Sequence, residues 1–217
     1  MVLFLLFSLP ALYGMVALLP WDPWKRPPML VLVSSFFKGV LLFFPGYLVI
    51  LILRAIIGFS YSGAWLFISL FLRDQFLPLF AALTGFYLFR KMLAVPTSEE
   101  GAFLVVFAYL AGFLSLINVT DALRLWGAWD SSTLFLLPAA RISQALIVAM
   151  LARRYYPWEG REAVVFGGIA AVLAGALTLS GYLMLLNRPG WAIVLAIAPV
   201  LGSVIGFSLR FPRAVRG

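Results

Sequence analysis

Two cations stand where a membrane-crossing segment accommodates them least. Lys38 lies nine residues into the apolar run Met29–Leu53, and Arg141 eight residues into the run Thr133–Leu151. At 1.5 Å per helical residue, each falls about 12–14 Å from the nearer end of its run, near the middle of a hydrocarbon layer about 30 Å thick. Ser34 and Ser35 precede Lys38 by four and three residues and share its helix face; Gln144 follows Arg141 by three. An ammonium or guanidinium beside hydroxyls and an amide can hold an anion. Arginine suits this best, because its planar fork of donors matches carboxylate and phosphate and stays charged. Lys38, Arg141, Gln144, Ser34 and Ser35 are therefore the candidate binding residues. Each has a structural alternative: a lysine stem can snorkel to the interface, and a mid-depth arginine, which costs about 2.5–3.5 kcal/mol on insertion scales, demands a partner and can be a plain ion pair.

The candidate partners are few. Asp74, beside Arg73, and Asp121 are the acids placed to reach the membrane boundary. Asn118, Asp121 and Arg124 step by three, so a local Asp121–Arg124 surface pair is expected, and Arg73–Asp74 can do likewise. Lys38, Arg73 and Arg141 thus lie within apolar runs against two acids. The expectation is that at least one cation relies on backbone carbonyls, water, lipid headgroups or an anionic ligand.

Other chemistries are thin. The chain has no histidine and no cysteine, which removes histidine-ligated metal sites, Ser-His pairs, disulfides and thiolate nucleophiles. No metal site and no cofactor is expected, and no catalytic residue is assigned. The remaining enzymatic route is a lipid-modifying or intramembrane hydrolytic one. It requires convergence of Asp74 with Asp121, or of a serine with Lys38.

The elements that must position these residues follow from composition. Of 217 residues, 64% are hydrophobic and 11% charged, against roughly 45–50% and 25% in soluble domains. Mean hydropathy is +1.07. A soluble globule of this size cannot hide so much apolar surface. The expected fold is all-α: a polytopic transmembrane bundle of about seven spans, forming one integral membrane domain over residues 1–217 with no soluble domain. The runs are Met1–Leu19, Met29–Leu53, Tyr61–Phe89, Gly101–Ile117, Thr133–Leu151, Ala163–Leu186 and Trp191–Leu209. The first reads as a span rather than a signal peptide, since no basic residue precedes it and no small-residue cleavage site follows. Arg73 and Asp74 divide the third into two pieces too short to cross alone. It reads as one crossing whose first piece is interfacial, re-entrant or part of a long tilted helix.

The net charge of +8 is distributed as pairs and singles between apolar runs, which argues topology rather than nucleic-acid binding. With the N-terminus outside, ten basic residues fall inside and three outside, in keeping with the positive-inside rule. Gly167, Ala171 and Gly175, with Gly202 and Gly206, form small-residue seams suited to close helix packing in lipid.

The functional expectation is a transport-type membrane module, holding an anionic or amphipathic small molecule or lipid in a polar intramembrane cleft. The alternative is a non-catalytic integral subunit of a larger complex. Expected partners are the lipid bilayer, an anionic lipid or small-molecule ligand, and other membrane subunits. Short loops lean towards a bacterial cytoplasmic membrane.

Overall fold

The computed structural model of the chain describes residues 27–58, 63–89, 91–93, 99–124, 131–154 and 161–185, with helical positions scattered through 190–205. All the regular structure among these residues is helical. The elements are α1 (Met29–Ile57), α2 (Gly63–Leu70), a π-helical turn (Phe71–Phe76), α3 (Leu77–Phe89), α4 (Glu99–Arg124), α5 (Ser131–Arg154) and α6 (Arg161–Leu185). Among the described residues, three helical stretches are long and apolar enough to cross a membrane: Met29–Ile57, Gly63–Phe89 and Gly101–Asp121. Arg141–Ala152 within α5 is a shorter apolar helix. These features fit an integral membrane protein. The run Met1–Leu19 lies outside the described residues, as does Gly206.

α1 starts after Pro27-Pro28, with the Val31 N–H donating to the Pro28 carbonyl at 2.9 Å. It runs on through Pro45 and ends at Gly58, whose φ of +67° favours glycine. Its two faces differ by partner rather than by polarity. Leu32, Phe36, Gly39, Phe43 and Ile50 are buried, while Phe37, Leu41, Phe44, Leu48 and Ile52 are exposed at helical spacing. An apolar stripe of this size facing outwards suits lipid and would be a liability in water.

α4 is the hub, with Ala102–Ala111 buried throughout. α1 crosses it at two glycines with almost no gap. A Cβ at Gly39 would overlap the Tyr109 carbonyl, and one at Gly112 the Phe36 carbonyl. Beside the crossing, the Phe43 and Phe113 rings meet edge to face at 5.8 Å, and Phe86 of α3 lies against Tyr109 at 5.4 Å. Serine and threonine hydroxyls in the apolar surroundings are satisfied one turn back: Ser35 by the Val31 carbonyl, Ser115 by Ala111 and Thr178 by Ala174.

Residues 63–89 form one unbroken helical stretch, so Arg73 and Asp74 do not interrupt it. The turn carrying them is widened instead. The Leu77 N–H reaches the Leu72 carbonyl, five residues back. Pro78 explains much of this geometry. Its missing N–H is the one that would serve the Asp74 carbonyl in an α-turn or the Arg73 carbonyl in a π-turn. Both carbonyls are taken by arginines of other helices.

The seam on α6 is used at one end. A Cβ at Gly175 would lie 3.7 Å from the Phe71 ring and Ala171 is half-buried, whereas a Cβ at Gly167 or Gly202 would meet no described residue within 4 Å.

Candidate functional site

A charge cluster forms where the C-terminal parts of α1 and α4 meet the π turn and the middle of α5. Arg141 is buried, at 4% exposure. Its Nη2 pairs with Asp121 Oδ2 at 2.7 Å, and its Nη1 donates to Asn118 Oδ1 at 3.0 Å. Nη2 also lies 3.4 Å from the Asp74 carbonyl. Asp74 itself faces Arg54: Nη2 stands 3.0 Å from Oδ1, close enough for an ion pair though not aligned as a hydrogen bond. Arg54 Nε donates to the Arg73 carbonyl at 2.8 Å, and Arg73 Nη1 to the Gly58 carbonyl at 3.0 Å. The two carbonyls that Pro78 leaves without a main-chain donor are thus the two that Arg54 and Arg141 occupy.

The aspartates therefore reach across helices to Arg54 and Arg141. The Arg124 side chain lies outside the described residues. Asp74 and Asp121 fall in one cluster, each met by an arginine. Among the described residues, three guanidinium groups and two carboxylates assemble there. Among the described residues, two amide donors in this region have no acceptor. Asn118 Nδ2, on the same amide as the oxygen that Arg141 contacts, is buried, and so is Gln144 Nε2, about one turn along α5. Buried donors without acceptors are uncommon and call for a reason.

Lys38 belongs elsewhere. Its Nζ donates to the Met92 carbonyl at 2.5 Å, just past the end of α3. Lys38 with Met92 and Arg54 with Asp74 show α1 and the Gly63–Phe89 stretch to be antiparallel. α1 spans about 43 Å, longer than the hydrocarbon layer is thick, so counting from its start does not by itself fix the depth of Lys38. Lys38 sits at the level where α3 ends and the exposed Lys91 follows. Along α4, Tyr109 beside Gly39 and Asn118 beside Arg141 are nine residues apart, which is about 13 Å. Lys38 and Arg141 do not share one cleft. Ser35 is buried with its hydroxyl committed to Val31, and Ser34 is half-buried. Lys38 forms no pair with either serine.

Sequence reasoning left out two participants. Arg54, the residue directly after the run Met29–Leu53, is buried in the cluster at 5% exposure. Its only signal was that an apolar run closes on it. Tyr109 buries a hydroxyl without a partner against Gly85, and nothing in its apolar run marks it.

Comparison with family models, with curated proteins and with solved structures finds no match for the chain. Among the described residues, no group of acidic side chains could hold a metal ion.

Proposed function

We propose that the chain is a transport-type membrane module of about seven spans, N-terminus outside and C-terminus inside. It holds the anionic group of a small molecule, an amphiphile or a lipid at the Arg141 cluster. The observation that carries this reading is the pair of buried amide donors, Asn118 Nδ2 and Gln144 Nε2, left without acceptors beside an arginine-rich cluster. An anion's oxygen atoms would supply the missing acceptors, and the neighbouring guanidinium would favour its charge. A desolvated cluster of this kind within an apolar bundle is where intramembrane charge marks function rather than packing.

The orphan donors make a prediction of opposite signs for stability and binding. Removing an unsatisfied buried donor by an apolar residue of similar shape is near neutral or stabilising. Gln144→Leu should therefore leave the melting temperature of the detergent-purified chain unchanged or higher. The same variant should lose the melting shift that the unaltered chain shows with one of three probes: inorganic phosphate, decanoate or dodecyl phosphate. An unaltered chain that shifts with none of the three, or a Gln144→Leu chain that shifts as fully as the parent, sinks the reading.

A second reading, a non-catalytic subunit of a larger membrane complex, is favoured by α6. Its Gly167 end stands open while Val164 and Val172 on the same helix are exposed. Small residues of this kind let a neighbouring helix approach closely. Obligate co-purification with a partner, lost on Gly167→Leu, would support it; a monomer that binds ligand alone would not.

A further inference from the structure

We propose that the pocket beside Lys38 is a binding site for an anionic phospholipid, separate from the Arg141 cluster, at the leaflet where α1 begins and α3 ends. A cavity of about 150 Å³ opens there between α1 and the end of α3, lined by Lys38, Leu41, Leu42, Phe89, Met92 and Leu93. Apart from the lysine, these side chains are apolar. A space of this size takes an apolar group of about benzene size, enough for a stretch of one acyl chain. Leu41 is exposed at the rim, so the pocket meets the lipid-facing stripe of α1 rather than the bundle interior.

The charge at the rim selects the headgroup. Lys38 donates to the Met92 carbonyl, a neutral acceptor, and no carboxylate stands against it among the described residues. An ammonium has three donors, so two remain for phosphate oxygens. Lys91, exposed one residue before Met92, adds a second positive charge at the same level. The Met92 carbonyl holds the ammonium just past the C-terminus of α3, an end that attracts cations. A headgroup phosphate at Lys38 with its chain in the pocket satisfies both halves of the site. Phosphate alone would use only one.

The test uses the full chain in mixed micelles carrying either dioleoylphosphatidylglycerol or dioleoylphosphatidylcholine, with retained lipid counted by native mass spectrometry. The unaltered chain should retain phosphatidylglycerol preferentially. One basic residue near a membrane surface is worth about 1 kcal/mol towards anionic lipid, about fivefold. Lys38→Gln should therefore reduce the preference by about that factor, Lys38→Arg should keep it, and Leu41→Trp, which crowds the rim without touching the core, should lower retention of both lipids. Gln144→Leu should leave the preference intact, which separates this site from the cluster. Equal retention of the two lipids by the unaltered chain, or an undiminished preference in Lys38→Gln, overturns the proposal. Displacement of the lipid by inorganic phosphate at equal concentration also overturns it, by making the site one for a free anion.

Discussion

Arg141→Ala should leave almost no folded protein. The substitution strands Asp121 in a buried position without its guanidinium at 2.7 Å and takes the donor from Asn118 Oδ1. Removing one member of a buried ion pair costs about 3–5 kcal/mol, because the remaining charge stays desolvated. Against a total stability of about 5–15 kcal/mol, that is a large fraction. Arg141→Lys should fall between the two, since a point charge cannot meet Asp121, Asn118 and the Asp74 carbonyl at once. The informative variant is the double one. Arg141→Met with Asp121→Leu removes both charges and should recover most of the lost yield, because a well-packed apolar pair often equals a buried ion pair. Size-exclusion profiles and thermal melts of the three variants check this. A monodisperse Arg141→Ala chain melting within a degree or two of the parent would show that Asp121 is solvated and that the cluster is no interior feature.

Gly112→Ala and Gly39→Ala should each be nearly as damaging, for a different reason. Their added Cβ atoms meet main-chain carbonyls of the facing helix, of Phe36 and Tyr109 respectively. Backbone cannot turn aside as a side chain can, so α1 and α4 must separate along their contact. A cost of about 3 kcal/mol is expected, at the upper end for overpacking. Gly46→Ala is the matched control. Its Cβ would lie 3.1 Å from the Phe113 ring, which can tilt, so about 1 kcal/mol is expected. Equal melting of all three variants would mean that the crossing is loose.

The all-helical fold was largely legible, because apolar runs of 20 or so residues admit few alternatives in a bilayer. The continuation of α4 past Ile117 was legible too, from the three-residue step through Asn118, Asp121 and Arg124. That Arg141 must face inwards with a partner follows from desolvation cost alone. Which acid it meets does not, since Asp121 lies on another helix and sequence spacing speaks only for neighbours on the same one. For the same reason the role of Arg54 stayed hidden. Because charges count against a span, the sequence left the piece before Arg73 and Asp74 open between interfacial, re-entrant and part of a long helix, and the last of these fits the continuous stretch Gly63–Phe89. The helix passes through the two charges because α1 brings a guanidinium and a free carbonyl to that level. Counting from the start of α1 does not fix the depth of Lys38, because that helix is longer than the hydrocarbon layer is thick.

The widened turn at Phe71–Phe76 amounts to an α-helix that has absorbed one surplus residue. One residue corresponds to about 100° of rotation, so the azimuth of everything from Gly63 to Leu70 is set by that surplus. Deleting a single residue between positions 71 and 76 would let the ladder close regularly while swinging the upstream segment around by more than a quarter of a circle. Phe71 would then no longer point at Gly175. The angular setting of an eight-residue segment is in this sense encoded by a count, and a relative of this chain one residue shorter there would be expected to dock its α6 on a different side.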